Sequence, residues 1–310
     1  MRTFAACTKR HWLAGMEEQQ HKAGFVNILG KPNVGKSTLM NALVGERLAI
    51  ITSKAQTTRH RILGIVNGEH FQIVYSDTPG IINPKYKMQE AMMRFVHISL
   101  EDADLILFMV EANSKADDVA DALQLLQTTD APVLLLLNKT DLLTAEETQQ
   151  QLQYWQQQVT ANSYLPVSAL KKKNMEAVFD KILELLPCSP PYYDKDDLTD
   201  RPERFFVAEI IREKILLTYS EEIPYSVEIQ VEEFKEKPDI TYIRADIITN
   251  RASQKPILIG KDGKKLKTVG TKARADIEQF LQKKVYLELF VKVKENWRDD
   301  ERFLRNRGYE

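Results

Sequence analysis

Between Gly30 and Ser37 the chain reads Gly-Lys-Pro-Asn-Val-Gly-Lys-Ser, two glycines at fixed spacing followed by a lysine and a hydroxyl. The pattern G-x-x-x-x-G-K-[ST] wraps backbone N–H groups around a phosphate chain when a strand precedes it and a helix follows. Gly30, Lys31, Pro32, Asn33, Val34, Gly35, Lys36, Ser37 and Thr38 form this candidate loop and the first residues of the helix after it. Lys36 is placed to reach the outer phosphates and the Ser37 hydroxyl to ligate magnesium. The positive end of the helix adds to the attraction.

Three more segments carry complementary chemistry. Asp77-Thr78-Pro79-Gly80 closes an apolar run; Asp77 would hold magnesium through water, and the Gly80 N–H would sense a terminal phosphate. Asn138-Lys139-Thr140-Asp141 closes another. A carboxylate there can accept from guanine N1–H and the 2-amino group, whereas adenine would oppose it with a lone pair. Leaving that carboxylate unpaired is costly, which gives base selectivity. Ser168, Ala169 and Leu170 follow a third run and could offer a backbone N–H to guanine O6. Each tetrapeptide alone is an ordinary turn. Four in this order, each at the end of a strand, point to guanine-nucleotide binding.

The elements that must position them are legible. Apolar runs at Phe25 to Leu29, Asp104 to Val110, Val133 to Asn138 and Tyr164 to Val167 read as parallel strands. Helical patterns lie at about Lys36 to Val44, Tyr86 to Glu101, Asp117 to Thr128, Ala145 to Thr160 and Met175 to Leu186. The alternation predicts a mostly parallel sheet with helices on both faces. Asn67-Gly68 between Arg61 to Val66 and His70 to Tyr75 predicts a hairpin, because both residues tolerate positive φ, and the hairpin adds an antiparallel edge strand.

Pro187-Cys188-Ser189-Pro190-Pro191 and the charged stretch after it read as a linker. Beyond it the pattern becomes α+β: a helix from about Glu203 to Tyr219, strands at Tyr225 to Phe234 and Ile240 to Ile248, a basic glycine-bearing loop, a helix from about Lys267 to Gln282, and a strand at Val285 to Val293. The expected units are an extension over 1–22, a nucleotide domain over 23–187, a linker over 188–202, and a smaller domain with a tail over 203–310. The first fifteen residues of the extension are basic and free of acids; they resemble a transit peptide but are read as lying upstream of a functional start at Met16.

The loop of the second unit is Gly260-Lys261-Asp262-Gly263, followed by Lys264, Lys265 and Lys267. Two glycines permit close approach of a nucleic-acid phosphate at a helix start. Between Arg251 and Arg274, eight Lys or Arg face the single acid Asp262. Such a concentration is a phosphate-binding footprint. Ile257, Ile259, Leu266 and Val269 are candidates for a base groove or for core, and Trp297 for packing.

The composition agrees with a local patch. With 43 Lys and Arg against 44 Asp and Glu, the net charge is -1, which excludes a whole-molecule polyanion binder. Cys7 and Cys188 are far apart and in no metal or redox spacing. No apolar run is long enough to span a bilayer.

From about Ala23 to Leu186 the chain resembles the translation-factor-related P-loop GTPases, and its Gly260–Gly263 region resembles a KH domain. The resemblance implies an α/β P-loop GTPase domain plus an α+β KH-type RNA-binding domain. It also places a magnesium-binding threonine within Thr52 to Arg59, with Thr58 preferred to Thr57. Lys36, Thr58, Asp77, Gly80 and Asn33 would then carry GTP hydrolysis. Where Ras-like enzymes have a water-orienting glutamine, this chain has Ile81, so slow turnover is expected. In the subgroup with an apolar residue there, a potassium ion held partly by the residue matching Asn33 can assist; Asn33 could equally be a plain loop residue. Two domains in this order, with Ile210-Ile211-Arg212-Glu213-Lys214 and Pro224-Tyr225-Ser226-Val227, resemble the Era family of bacterial GTPases. That implies binding to the 3′ end of small-subunit ribosomal RNA and assistance in assembling the small subunit. It also implies a cytoplasmic monomer with a peripheral fraction at the inner membrane. Competing readings are a passive RNA-binding protein and a GTPase acting at membranes.

Overall fold

The computed structural model describes residues 20–54 and 56–309. The proposed start at Met16 and most of the extension lie outside the described residues.

The first unit runs β1 (Lys22–Leu29), α1 (Lys36–Val44), β2 (Ile62–Asn67), β3 (Phe71–Asp77), α2 (Lys87–Glu101), β4 (Leu105–Glu111), α3 (Ala120–Leu126), β5 (Val133–Asn138), α4 (Ala145–Gln158), β6 (Ser163–Pro166) and α5 (Met175–Leu185). The strands form one sheet in the order β2-β3-β1-β4-β5-β6. All neighbours are parallel except the β2–β3 pair. Continuous apolar runs such as Leu134 to Leu137 suit strands covered on both sides. Leu134 and Leu136 join a cluster with Leu39, Met40, Val178 and Ile182 from α1 and α5. Leu135 and Leu137 join another with Val96, Ala122 and Trp155 from α2, α3 and α4. Thr144 starts α4 through a reciprocal cap with Glu147.

The second unit runs α6 (Glu203–Thr218), β7 (Val227–Glu236), β8 (Thr241–Thr249), α7 (Gln254–Ile259), α8 (Lys264–Leu281), β9 (Val285–Val293) and α9 (Glu301–Arg305). Its sheet is β7-β8-β9, with β7 antiparallel and β9 parallel to β8. Val207, Ile211 and Ile215 of α6 and Val269, Ala273 and Ile277 of α8 pack on the inward residues Ile243, Ala245 and Ile247.

Several expectations change. The segment before Gly260 is helical (α7), a turn that Pro256 disguises in the sequence. The expected helix from Asp117 divides at Val119, whose φ of -122° and ψ of 19° separate a tight turn from α3. The hairpin forms as expected, with φ negative at both Asn67 and Gly68. The Gly68 N–H donates to the Phe71 carbonyl. The segment expected to be a linker is a strap: the Ile65 N–H donates to the Leu198 carbonyl, Thr199 Oγ1 to the Leu63 carbonyl, and Asn67 Nδ2 to the Lys195 carbonyl.

The two units share buried surface. Phe206 of α6 joins the nucleotide-domain core, while Val207, one position on, faces the other core. Trp297 is fully buried, and its Nε1–H donates to the Ser226 carbonyl. With Phe303, Leu304 and Tyr309 it packs on Met88, Met92 and Phe95 of α2.

Candidate functional site

The four sequence segments meet at the carboxyl ends of β1, β3, β5 and β6. In an open α/β sheet that rim is where ligands bind, at the point where strand order reverses. Here β1 lies between β3 and β4, so the loop after β1 sits at the reversal. The segments line an open cleft of about 270 Å³ together with Ile50, Ile51 and Thr52.

Gly35 caps α1, whose first turn carries no acidic side chain, leaving its positive end unopposed. Lys36 is 6% exposed, and its ammonium donates to the Gly30 and Lys31 carbonyls at 3.0 Å each. Burial pushes it down to about 8, with Asp77 pulling the other way. A phosphate chain in the cleft would favour the charged form.

Ser37 Oγ lies 2.7 Å from Asp77 Oδ2 and 3.0 Å from Thr58 Oγ1, and Thr58 Oγ1 lies 3.2 Å from the same carboxylate oxygen. Thr57 Oγ1 turns away to Thr52 Oγ1 and the Lys54 carbonyl. Asp77 is fully buried, and its Oδ1 has no partner among the described residues. Burial raises its carboxyl, against the pull of Lys36 and the two hydroxyls. Two hydroxyls and one carboxylate, whose Oδ1 is unsatisfied among the described residues, form a hard-oxygen donor set that fits magnesium. Ser37, Thr58 and Asp77 would hold the ion, which neutralises charge on the phosphates.

Thr78 Oγ1 anchors the next loop to the Ile28 carbonyl at 3.1 Å, and Pro79 is buried. A Cβ at Gly80 would sit 2.6–2.8 Å from the Pro32 ring carbon, N and Cα. The backbone at Gly80 therefore lies flat against the phosphate loop. Gly80→Ala is expected to slow single-turnover hydrolysis about 10²-fold by pushing that backbone from the terminal phosphate, while GDP affinity stays within about threefold. Equal losses in both assays would count against the role. Ile81 is not among the cleft residues; it packs with Leu29 and Val96.

Asn138 does more than its motif suggested. Its Nδ2 donates to the Val34 carbonyl at 2.7 Å and its Oδ1 accepts from the Ala169 N–H at 3.0 Å, tying three loops together. A guanine O6 would share the Ala169 hydrogen. Asp141 Oδ1 accepts from Ser168 Oγ at 2.5 Å, and both residues line the cleft. Lys139 adopts φ of 64° and pairs with Glu111 at 2.7 Å; Thr140 Oγ1 holds the Val167 carbonyl. Leu170 and Leu142 remain exposed at the cleft edge. Asn33, with φ of 65°, donates from Nδ2 to the Ser53 carbonyl at 3.2 Å. Lys31 is exposed and Thr38 half-buried at the cleft.

At the second unit, Gly260 and Gly263 both have φ of 71° and Asp262 has φ of 54°. Nothing lies within 4 Å of a Cβ at Gly263, so the loop surface is open. Lys261, Asp262, Lys264, Lys265 and Lys267 are exposed at the start of α8. Lys264 lies 3.8 Å from Asp262, and Lys265 extends back over the Tyr219 ring. Ile257 is 48% exposed beside them, whereas Val269 is core.

Comparisons with known proteins agree with this fold. A family model described as a 50S ribosome-binding GTPase matches residues 25–139, and a KH-domain model matches residues 222–298. A chloroplastic ERA-like GTPase of Oryza sativa subsp. japonica is 46% identical over 93% of this chain and 70% of its own length. The chain belongs to the Era family of GTPases. A chloroplastic Era GTPase of Zea mays is 45% identical over 93% of this chain and 71% of its own. Two solved Era structures are each 38% identical and cover 93% of this chain and 99% of theirs. One, with TM-score 0.89, holds MgGDPNP and nucleotides 1506–1542 of 16S ribosomal RNA. The other, a singly substituted Era of Aquifex aeolicus bound to GDP.AlF4-, has TM-score 0.90. This Era-family chain is a GTPase with a P-loop domain and a C-terminal KH domain. The contacts of Arg59 with the Val227 carbonyl and of Arg212 with the Thr57 carbonyl were not visible in the sequence, since each joins residues more than 150 positions apart.

Proposed function

We propose that this Era-family GTPase binds the 3′ end of small-subunit ribosomal RNA and assists small-subunit assembly, with the bound nucleotide gating that binding. The observation that carries the reading is the open Gly260–Gly263 loop at the head of α8, inside a stretch of eight basic residues and one acid. Its support is the similarity to an Era that holds a 16S fragment. GTP binding would order Thr58 and Gly80 against the terminal phosphate, and hydrolysis would release them. Lys36 and the backbone donors of the loop stabilise charge on the leaving phosphates, with no side chain offered at Ile81 to orient water.

The direct test measures binding of the full chain to small-subunit 3′ RNA and to large-subunit RNA, with a GTP analogue and with GDP. Preference for the first RNA in one nucleotide state supports the reading; equal binding to both RNAs in both states opposes it. Charge reversal at Lys264 and Lys265 together is expected to weaken single-stranded RNA binding about 10²-fold and to flatten its salt dependence by about 1.4 in log–log slope. Filter binding across a salt series checks this, and an unchanged slope would move the RNA site elsewhere.

The reading extends to potassium. Asn33 sits beside the Ser53 carbonyl at the phosphate end of the cleft, and both groups offer oxygens to a monovalent cation. Faster hydrolysis in potassium than in sodium, lost in Asn33→Ala, is the expected result. The reading also includes a cytoplasmic monomer with a peripheral inner-membrane fraction. Among the described residues, no helix is long and apolar enough to cross a membrane.

A further inference from the structure

Thr58 supplies a hydroxyl to the magnesium site, yet the backbone on either side of it is held from the other domain. Before it, the Thr57 carbonyl accepts from Arg212 Nη2 of α6 at 2.5 Å. After it, Arg59 leaves the nucleotide domain altogether. Its side chain is 1% exposed and donates to the Val227 carbonyl at 2.7 Å, the Pro224 carbonyl at 3.2 Å and the Glu228 carboxylate at 3.2 Å. Earlier in the same loop, the Lys54 ammonium donates to the Tyr219 carbonyl.

Both arginine side chains are buried and paired with carboxylates. Arg212 is paired with Glu209 at 2.5 Å, and Glu228 also accepts from the Tyr309 hydroxyl at 3.1 Å. The His60 ring, next in sequence to Arg59, lies 4.2 Å from the Tyr309 ring and near the rings of Phe95 and Phe205. Withdrawing Arg59 would strand Glu228 in a dry interface, and withdrawing Arg212 would strand Glu209; either is strongly unfavourable. The loop bearing Thr58 therefore has two alternatives: seated with the C-terminal module docked, or released at the expense of buried charge.

We propose that the C-terminal module is a clamp that positions Thr58 for GTP hydrolysis, with Arg212 and Arg59 as its positioning residues. This deepens the switch reading and rests on Thr58 as a magnesium ligand. It adds a direction of control: whatever shifts the module, an RNA strand included, changes the seating of a metal ligand in the other domain. Tyr219 extends the connection towards the glycine loop, because its hydroxyl donates to the Leu258 carbonyl of α7 at 2.5 Å.

The test uses the full chain without RNA, so its result is independent of the ribosomal reading. Hydrogen exchange across residues 56–61 is measured in the nucleotide-free protein, with GDP affinity and single-turnover hydrolysis measured alongside. Arg212→Ala and Arg59→Ala are each expected to raise exchange and slow hydrolysis about tenfold, with GDP affinity unchanged within about twofold because GDP binding does not require Thr58. The double variant should be no worse than the more affected single variant, since both act through one threonine. Arg212→Lys, which keeps a donor for the Thr57 carbonyl, should recover part of the loss and guards against a variant that merely fails to fold. Unchanged exchange and hydrolysis in both single variants would overturn the clamp, as would a fall in GDP affinity equal to the fall in rate. Thr58→Ala is the control: normal hydrolysis in it would overturn the proposal at its base.

Discussion

Lys36→Ala is expected to hydrolyse GTP about 10³-fold more slowly than the intact protein in a single turnover, a loss of about 4 kcal/mol in transition-state stabilisation. The buried ammonium is the cation that the loop would bring to the outer phosphates, and it is held by the Gly30 and Lys31 carbonyls. The substitution also leaves the Gly30 and Lys31 carbonyls without their donor, so GDP affinity should fall too. Lys36→Arg separates charge from shape: a guanidinium keeps the charge but cannot fold back onto both carbonyls in a site this closed. Hydrolysis in Lys36→Ala within tenfold of the intact protein would remove the phosphate site from this loop.

The second large effect is a change of base. Asp141→Asn should weaken GTP binding about 10³-fold, because two donors on guanine lose a charged acceptor. Xanthine nucleotides should gain affinity, since xanthine places a carbonyl where guanine has its amino group and the new amide can donate to it. The Ser168 hydroxyl that now donates to Asp141 can rotate to serve the amide oxygen, so the loop should keep its shape. Competition between GTP and xanthosine triphosphate reads this directly. Undiminished guanine preference would assign the base contact to another group.

The gathering of the four segments at one cleft was largely legible because each is contiguous in sequence. A glycine-bearing loop between strand and helix, or a tetrapeptide at a strand end, constrains its own backbone, and the parallel sheet then gathers the segments on one rim. Thr58 was narrower to read: Thr57 has the same chemistry, and only the fold shows it turned away towards Thr52. Asn138 was read as a motif member, whereas its bridging of Val34 and Ala169 depends on loops far apart in sequence. The α7 helix was hidden because Pro256 and the following glycines suggest a loop, while Leu258 is drawn into the core by its neighbours. Least legible was α6. Its apolar residues serve two cores, Phe206 one and Val207, Ile211 and Ile215 the other, and Glu209 and Arg212 are buried as well because a second domain lies across them. Polar residues that meet partners from another domain look like solvent-facing residues in sequence.

The strap over 195–199 has a consequence for how copies of this molecule behave towards one another. β2 is the outermost strand on its side of the sheet, and a bare outermost strand is a template for a neighbour's backbone. Here the chain's own passage between domains takes up the Ile65 amide and the Leu63 carbonyl. A protease nick there, or a flexible insertion that let the passage lift away, would turn a shielded margin into an adhesive one, favouring self-association while the guanine cleft stayed intact.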